Sequence, residues 1–468
     1  MKVDKFPKIL FQSKELVWDT RQVVEQPQIV IRKHLANEAK EELRSRGATP
    51  LVEGVDFPSF GSLCAELVGN PSHKLKVIGV VGTNGKTTTA ALLRFLLVEE
   101  GKRVLEIGTL GAMLWASHNN ETPLWSEKTG FTSPDVPTLQ DLLRQALEDH
   151  VSYVVMEVTS HAIALGRVEG VEFDAGIFLN FSQDHLDFHK TLEEYKRVKK
   201  SFFTEHLKAQ KVKTAPYIII NANDMAGAEL SYQLRTAVDP TVHVLLKRWE
   251  GYEVDEESLE LAITLHKKET FPIVGHFQAE NLLSAAMTVA ALLDLKNVDV
   301  LMKLKKFTGL PGRMEIVTAS FKGVRRSFIV DFAHTPDALE KNLQSLRMGL
   351  KKGKLWLLFG CGGDRDASKR PIMGEVAAKY ADHIVVTSDN PRSEDPDKII
   401  SEIVEPLKKA AVPYIAITSR KEAMKHCLEH MNKDDICLVA GRGHEDFQLV
   451  GDQKIPFRDA DVLRSLGC

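Results

Sequence analysis

Residues 76–97 read KVIGVVGTNGKTTTAALLRFLL. A β-branched apolar run, Lys76–Val81, leads into a glycine-rich turn, and the residues after the turn are apolar at helical spacing. A strand, a tight loop and a helix N-terminus in this order form a site for phosphates, because the loop N–H groups and the helix dipole favour anionic oxygens. The stretch therefore predicts an α/β domain built around a nucleotide-binding loop.

Two side chains of this loop carry specific expectations. The Lys86 ammonium can reach the β and γ phosphates of a nucleotide, and the Thr87 hydroxyl can ligate Mg²⁺. Val80 stands where the generic P-loop has its first glycine, so this loop is a shorter variant. The alternative is a Gly-Lys-Thr turn that binds no ligand. The residues expected to contact ATP are Gly82, Thr83, Asn84, Gly85, Lys86, Thr87 and Thr88.

Composition limits the classes of function. The chain has 468 residues, of which 43% are hydrophobic and 27% charged, which is typical of a soluble protein of several domains. The net charge of −3 and the pI near 6.6 argue against a nucleic-acid partner, and no polybasic or amphipathic segment points to a membrane. Five scattered cysteines without a CxxC pair, and an N-terminus without an apolar leader, predict a cytoplasmic protein.

Strand and helix patterns alternate along most of the chain and predict parallel sheets. A first series of strands is expected at Lys76–Val81, Arg103–Ile107, Tyr153–Val158, Ala175–Asn180 and Tyr217–Asn221. Residues 240–275 are expected to be β-rich. After the break Leu310-Pro311-Gly312-Arg313, a second series is expected at Ser327–Asp331, Lys354–Phe359, His383–Thr387, Tyr414–Ile417 and Ile436–Ala440. We therefore predict three domains, at residues 1–74, 75–312 and 313–468.

Two polar segments follow predicted strands of the first series. Glu157, in MEVTSH, ends a strand at the edge where open α/β sheets place their ligand residues, and its carboxylate could hold Mg²⁺. The alternative is that Glu157 caps the next helix. The segment NFSQDHLDFH (residues 180–189) contains two aspartates and two histidines, which could bind a metal or form only a polar turn.

Eight segments together resemble the Mur ligases, the ATP-dependent amide-forming enzymes of peptidoglycan precursor synthesis. In addition to the phosphate loop, these are MEVTSHAIALGR (156–167), NFSQDHLDFH with EEYKRVKKSFF (180–203), GLPGRMEIV (309–317) and DFAHTPDAL (331–339). The segments FGCGGDRDASKRPIMG (359–374), TSDNPR (387–392) and LVAGRGHEDFQ (438–448) are similar to the branch of the family that adds meso-2,6-diaminopimelate. The similarity runs in order from about residue 74 to the C-terminus.

The resemblance implies a three-domain Mur ligase architecture. It has a small N-terminal domain that binds a UDP-sugar, a central P-loop ATPase domain with a mostly parallel sheet, and a C-terminal Rossmann-like domain that binds the amino acid.

The resemblance also implies ATP as co-substrate and two Mg²⁺ ions, one held by Thr87 and Glu157 and the other served by His185 and Lys199. In the family the lysine matching Lys199 is carbamylated by CO₂, which supplies hard anionic oxygens to metals. Further nucleotide contacts are implied for Asn281, Arg313, His334 and Asp337, although Asp337 could instead cap a helix.

The resemblance also assigns the two other substrates. Diaminopimelate contacts are implied for Arg365, Asp389, Asn390, Pro391, Arg392, Gly441 and Glu445. Two arginines for carboxylates and one acid for the distal ammonium are the charges that this amino acid requires. The alternative is a simple turn at Asp389-Asn390-Pro391 with Arg392 as a surface charge. Contacts to the UDP-N-acetylmuramoyl-peptide are implied for Thr20, Thr132, Ser133, Thr159 and Arg167. In the short N-terminal unit, Asp19-Thr20-Arg21 resembles the family's Asp-Ser-Arg, but the stretch after it departs from the family pattern.

The implied reaction joins meso-diaminopimelate to UDP-MurNAc-L-Ala-D-Glu through an acyl phosphate, in a monomeric enzyme. Lys86, Glu157, His185 and Lys199 are the implied catalytic residues. The nearest alternatives are a lysine-adding Mur ligase and a folylpolyglutamate synthetase-like ligase, and Arg392 in the DNPR segment argues against both. A nucleotide-dependent interaction protein on the same fold is an alternative of another class, which the short N-terminal unit favours.

Overall fold

The structure, a computed structural model, describes residues 59–213, 215–236, 268–275, 277–410 and 412–467. It also gives the backbone of seven strands outside these ranges: β1 (Ile9–Phe11), β2 (Lys14–Leu16), β3 (Gln28–Ile31), β4 (Thr49–Val52), β12 (His243–Leu246), β13 (Glu253–Asp255) and β14 (Glu260–Thr264). The chain forms two compact units. The first takes in Met1–Phe181, Glu193–Arg248 and Ser284–Val300, and the second Ser182–Leu192, Trp249–Leu283 and Leu301–Cys468.

The first unit is built on an eight-stranded sheet in the order β12-β11-β10-β5-β9-β6-β7-β8. Its other strands are β5 (Lys76–Val81), β6 (Val104–Gly108), β7 (Gly111–Trp115), β8 (Trp125–Glu127), β9 (Tyr153–Glu157), β10 (Ala175–Phe178) and β11 (Tyr217–Ile220). All neighbouring strands are parallel except β6 with β7 and β7 with β8. The sheet is therefore mostly parallel, as the sequence predicts.

The helices of this unit follow the strands. They are α1 (Phe60–Leu67), α2 (Lys86–Glu99), α3 (Val136–Glu148), α4 (Ser160–Ala164), α6 (Leu192–Ser201) and α7 (Met225–Thr236), and α6 runs on through a π-helical turn at Phe202–His206. The central strands are buried on both faces, and their Val and Ile side chains pack against residues such as Leu139, Phe178 and Phe203. This core fixes the carboxyl ends of the parallel strands at a common edge.

The second unit contains a six-stranded sheet in the order β16-β17-β21-β18-β19-β20. Its strands are β16 (Glu315–Phe321), β17 (Val324–Val330), β18 (Leu355–Phe359), β19 (His383–Thr387), β20 (Tyr414–Ile417) and β21 (Ile436–Val439), and only β16 with β17 is antiparallel. A hairpin follows, β22 (Phe447–Val450) with β23 (Gln453–Pro456), and β15 (Lys268–Val274) pairs with β14 in a small antiparallel sheet.

Helices cover both faces of the six-stranded sheet. They are α10 (Pro336–Gly349), α11 (Lys369–Tyr380), α12 (Pro396–Lys409), α13 (Arg420–His430) and α14 (Asp459–Leu466). The remaining helices precede this sheet in the sequence: α5 (Leu186–His189), α8 (Gln278–Leu293) and α9 (Asn297–Lys303). Strands were predicted at residues 240–275, and four short strands occur there. In the part of the chain that the structure describes, no helix is both long and apolar enough to cross a membrane.

Candidate active site

The glycine-rich loop lies between β5 and the N-terminus of α2, as predicted. Gly85 is the residue before the helix and has φ of 83°, a left-handed conformation that glycine adopts without strain. The Lys86 ammonium bends back over the loop, and its Nζ donates hydrogen bonds to the carbonyl oxygens of Gly82 and Thr83, each at 2.8 Å. Thr87 and Thr88 are buried in the first turn of α2. The strand, the loop and the helix N-terminus thus follow one another in the predicted order.

Asn180, two residues beyond the end of β10, holds this loop from the neighbouring strand. Its Oδ1 accepts the N–H groups of Thr83 (3.1 Å) and Asn84 (2.8 Å), and its Nδ2 donates to the Asn84 carbonyl at 3.0 Å. Sequence analysis did not place Asn180 in the site. A polar residue at the carboxyl end of a strand that pairs with β5 was the signal that could have identified it.

Glu157 ends β9 beside the loop and is 1% exposed. Its Oε2 accepts hydrogen bonds from the hydroxyl groups of Thr87 and Thr109, each at 3.1 Å. Its Oε1 accepts a hydrogen bond from the Thr109 N–H at 2.8 Å. Thr159, whose side chain accepts the Ala162 N–H, is the N-cap of α4, so the alternative that Glu157 caps this helix is wrong. Thr109 follows β6 at the same sheet edge and is a second residue that sequence analysis missed.

The oxygens around Glu157 fit a magnesium ion. The buried carboxylate forms no ion pair within the described part of the chain, and an uncompensated buried charge is costly. Together with the Thr87 hydroxyl it offers the hard oxygen ligands that Mg²⁺ prefers. Among the described residues there is no cluster of three or more His, Cys, Asp or Glu side chains that could bind a metal. Protein ligands here would therefore be few, as is usual for Mg²⁺ bound with nucleotide phosphates.

Lys199 lies on α6, is 1% exposed and points at the same loop. Its Nζ donates to the Gly82 carbonyl at 2.8 Å, so the amino groups of Lys199 and Lys86 meet at one oxygen. Tyr195, one turn earlier, places its ring 4.6 Å from this Nζ and its hydroxyl 3.3 Å from Oγ1 of Thr83. Tyr195 is a third residue that sequence analysis missed, because its contact partner lies 112 positions away.

The predicted muramoyl-peptide residues form one network in the first unit, and Thr20 lies outside the described residues. The Ser133 hydroxyl donates to the Glu157 carbonyl at 2.8 Å and lies 3.2 Å from Oγ1 of Thr159. Arg167 donates to the Ser133 carbonyl at 3.2 Å, and the Oγ1 atoms of Thr132 and Thr109 are 3.3 Å apart. The Arg167 guanidinium lies over the Phe131 ring at 4.3 Å, so Phe131 limits how this cation can turn.

His185 belongs to the second unit, whereas Lys199 and Glu157 belong to the first. It precedes α5, and its Nε2 is 3.4 Å from Oδ2 of Asp184. Burial tends to raise the pKa of Asp184, but His185 and His334 bring it below its ordinary value. Burial and the Lys369 charge lower the pKa of His334, whose Nδ1 lies 2.9 Å from the Phe332 carbonyl. The Asp184 carboxylate therefore lies in the field of the His185 and His334 imidazoles.

The other predicted nucleotide residues lie in the second unit. Thr335 is the N-cap of α10, so the alternative that Asp337 caps this helix is wrong. The Asp337 carboxylate instead accepts the Ser182 hydroxyl at 3.0 Å and pairs with Lys341 at 3.1 Å. The Arg313 guanidinium lies 4.7 Å from the centre of the Phe332 ring. Asn281, on α8, donates to Oε1 of Gln278 at 2.6 Å.

The residues predicted to bind the amino acid converge at the carboxyl ends of the parallel strands of the second unit. Asn390 donates from Nδ2 to Oε2 of Glu445 at 2.7 Å. Gly441 has φ of 110°, and a Cβ there would lie 2.4 Å from Oδ2 of Asp389, so only glycine fits. Arg392 donates from Nη1 to the Gly363 carbonyl at 2.6 Å. Arg392 is therefore more than a surface charge on a turn.

Electrostatics at this cluster suit a ligand with both signs of charge. Burial raises the pKa of Glu445, and the neighbouring Asp389 adds to this, while Asn390, Arg442 and Arg392 oppose it. Burial and the nearby Arg365 lower the pKa of Arg392. A ligand carboxylate would offset the repulsion between Arg365 and Arg392, and a ligand ammonium would stabilise the ionised form of Glu445.

Comparison with known proteins agrees with this geometry. The model of the Mur ligase middle domain matches residues 80–289, and that of the Mur ligase glutamate ligase domain matches residues 312–443. The chain belongs to the Mur ligase family. This Mur ligase is 38% identical over 423 residues to the UDP-N-acetylmuramoyl-L-alanyl-D-glutamate–2,6-diaminopimelate ligase of Prochlorococcus marinus, covering 87% of this chain and 80% of the relative. The enzyme of the same name from Caldanaerobacter subterraneus is 37% identical, covering 91% and 88%.

Solved structures show the same fold. A 2,6-diaminopimelate ligase of the same name matches this Mur ligase with a TM-score of 0.63 at 26% identity, covering 96% of this chain and 94% of that one. Folylpolyglutamate synthase from Mycobacterium tuberculosis, solved with ADP and AMPPCP, matches with a TM-score of 0.61 at 16% identity, over 81% and 91%, which shows the fold alone. The predictions of a Mur ligase, of its α/β fold and of an ATP-dependent ligase are confirmed.

Proposed function

We propose that this Mur ligase joins meso-2,6-diaminopimelate to the D-glutamyl γ-carboxylate of UDP-N-acetylmuramoyl-L-alanyl-D-glutamate. In the first step a carboxylate oxygen attacks the γ-phosphorus of ATP and the bond to ADP breaks, which gives an acyl phosphate. In the second step an amine of diaminopimelate attacks the activated carbonyl, phosphate leaves, and the amine loses a proton. The product is an amide. The first support for the proposal is that two similar proteins are named as 2,6-diaminopimelate ligases.

One observation carries the choice of amino acid: Arg365 and Arg392 stand with Glu445 at one site of the second unit. Diaminopimelate carries two carboxylates and two ammonium groups. Guanidinium groups bind carboxylates through paired, charge-assisted hydrogen bonds, and a carboxylate suits the distal ammonium. Lysine lacks the distal carboxylate and would leave one guanidinium without its partner. The charge pattern therefore favours diaminopimelate over lysine.

Phosphoryl transfer in this proposal rests on charge and alignment. The loop N–H groups and Lys86 would neutralise the β and γ phosphates, and Asn180 would keep the loop in shape. Thr87 and Glu157 would hold Mg²⁺, which supplies charge stabilisation at the phosphate oxygens when bound. We assign a second Mg²⁺ to His185 and a carbamylated Lys199, and nucleotide contacts to Asn281, Arg313, His334 and Asp337. No residue needs to act as a nucleophile.

The environment of Lys199 supports its carbamylation. Its amino group and that of Lys86 lie 2.8 Å from the same Gly82 oxygen, and conversion of one of them to a carbamate anion would relieve the repulsion between like charges. A carbamate also offers oxygens to a divalent cation, which an ammonium does not. A lysine amine can form this carbamate because it reacts with CO₂ when neutral, and an arginine at this position could not.

Replacement of Lys199 by alanine should leave a nearly inactive enzyme, because the metal-ligating oxygens would be lost. Acetate should restore part of the activity by supplying such oxygens. The measurement is ligation rate against acetate concentration, with Lys196→Ala as the matched control. Lys196 lies one turn earlier on α6 and pairs with Glu229 at the surface, so its loss should leave the rate unchanged. An active Lys199→Ala enzyme would refute the assignment.

The muramoyl-peptide would bind in the first unit, and the amino acid at residues of the second. We place the muramoyl-peptide at Thr132, Ser133, Thr159 and Arg167 with Thr20, and the domain boundaries at residues 74 and 312. The enzyme would act as a monomer in the cytoplasm. Sustained ADP release tests the reaction class: a ligase forms many ADP molecules per enzyme only when ATP, the muramoyl-dipeptide and the amino acid are all present. Sustained ADP release with ATP alone would point to a nucleotide switch instead.

A further inference from the structure

Asn390 has a fixed side-chain orientation in the amino-acid site. Its Oδ1 accepts two hydrogen bonds, one from the Leu449 N–H at 2.8 Å and one from Nη1 of Arg442 at 3.3 Å. Its Nδ2 consequently points at Glu445. Since a carbonyl oxygen accepts and an amide nitrogen donates, these donors prevent the amide from turning over. The position of the Glu445 carboxylate therefore depends on what holds Asn390.

The hairpin β22–β23 runs beside the segment that carries Asn390 and Arg392. The Arg392 N–H donates to the Leu449 carbonyl at 3.1 Å, and the Gly451 N–H donates to the Arg392 carbonyl at 2.7 Å. Arg392 itself has φ of 52°, an unusual conformation for a residue with a side chain. The Gln448 amide also donates to the Asp389 carbonyl. Pairing with the hairpin thus maintains a backbone that would otherwise be unfavourable.

Arg442 closes the base of this hairpin. Its Nη2 donates to the Phe447 carbonyl at 2.7 Å and to the Phe457 carbonyl at 2.9 Å, which are the residues at the start of β22 and just after β23. The side chain is fully buried, and its Nε lies 3.9 Å from Oδ1 of Asp459. Asp459 is in turn held by Arg420 through two hydrogen bonds of 2.8 and 2.7 Å. One guanidinium therefore joins the hairpin, Asn390 and a buried ion pair.

We propose that Arg442 is the positioning residue of the amino-acid site, fastening the β22–β23 hairpin so that Asn390 and Arg392 are presented to the distal end of the amino acid. This inference rests on the proposed function and adds a residue and an element to it. Arg442 does not touch the substrate in this assignment and acts through Asn390 and the hairpin. The planar guanidinium is required because it donates in three directions at once, which an ammonium reproduces only in part.

Arg442 has an electrostatic effect as well as a geometric one. Glu445 is faced by Asp389, Asn390 and Arg392 from the neighbouring segment and by Arg442 from its own, and it also feels the charge of Arg420 on α13. Arg442 is one of the groups that hold the pKa of Glu445 down against burial. Removing its charge should raise that pKa further. Glu445 would then be protonated over a wider acid range, and the acid limb of kcat/KM for diaminopimelate should move to higher pH.

The test compares Arg442→Met and Arg442→Lys with the parent enzyme. Arg442→Met should lower kcat/KM for diaminopimelate about 10- to 100-fold, with KM for ATP within about threefold of the parent. Its acid limb should move to higher pH. Arg442→Lys keeps the charge, so its acid limb should stay in place and kcat/KM should recover in part. Arg464→Met, which removes an exposed arginine of α14 that pairs with Glu315, is the control and should change nothing.

Several outcomes would overturn the inference. Unchanged kcat/KM for diaminopimelate in Arg442→Met would do so. A loss that affects all three substrates equally, without a shift of the pH profile, would also do so, because it is the mark of a structural role only. If Arg442→Met does not fold, as shown by thermal unfolding, Arg442→Lys decides, since full parental activity with a parental KM would contradict the need for the fork. Failure of the parent enzyme to use diaminopimelate at all would refute the proposed function instead.

Discussion

Replacement of Arg392 by alanine is expected to lower kcat/KM for meso-diaminopimelate about a thousandfold or more while leaving ATP binding intact. The guanidinium is half-buried, donates to the Gly363 carbonyl at 2.6 Å and lies near Arg365 and Glu445. In the proposed complex it binds the distal carboxylate, so its loss leaves a charged ligand group without a partner in a partly desolvated site. Such a loss costs about 4 kcal/mol, which corresponds to that factor.

Steady-state kinetics with diaminopimelate and with L-lysine provide the measurement. The parent should prefer diaminopimelate by roughly a thousandfold, and Arg392→Ala should lose most of that preference. Arg392→Lys keeps the charge but not the fork and should be intermediate. Arg325→Ala, an exposed arginine of the same unit, is the control. Comparable kcat/KM for both amino acids in the parent would show that the assignment of the DNPR segment is wrong.

Replacement of Lys86 by alanine should abolish ligation without unfolding the protein. The Gly82 and Thr83 carbonyls hold the ammonium over the loop. In the proposed complex it would lie beside the β and γ phosphates and offset their charge. Removing a preorganised group of this kind costs several kcal/mol of transition-state stabilisation, so the rate should fall by about a thousandfold or more.

The rate of ADP formation at saturating substrates checks this expectation, and circular dichroism checks the fold. Lys74→Ala removes an exposed lysine just before β5 and should behave as the parent. Turnover of Lys86→Ala within a few-fold of the parent would mean that the loop does not act on the phosphates as proposed.

Local pattern was enough to predict the phosphate loop and most of the parallel strands. The run Lys76–Val81 is a strand with the predicted bounds, because a continuous β-branched stretch before a glycine-rich turn has few other solutions. Glu157 was placed correctly at the end of β9, since strand ends at one sheet edge are determined by topology. His383–Thr387 and Tyr414–Ile417 were also predicted with the observed bounds.

Contacts between distant segments were not predictable from pattern. Asn180 and Thr109 reach the site from separate strands, and Tyr195 comes from a helix, so their roles depend on sheet order and on packing. The β22–β23 hairpin has a turn signal at Gly451-Asp452 that was overlooked. The role of Arg442 could not be read from sequence, because its acceptors are backbone carbonyls that every residue has. The predicted uridine contacts around Thr20 lie outside the described residues.

The central claim is that this Mur ligase adds meso-diaminopimelate to the muramoyl-dipeptide. The most direct measurement incubates the enzyme with ATP, Mg²⁺, UDP-MurNAc-L-Ala-D-Glu and one amino acid at a time from a panel that includes meso-diaminopimelate, L-lysine and L-glutamate. Mass spectrometry then identifies the products. We expect one dominant product, the dipeptide extended by one diaminopimelate residue, with one ADP formed per amide. A dominant lysine or glutamate adduct, or no adduct with any amino acid, would contradict it.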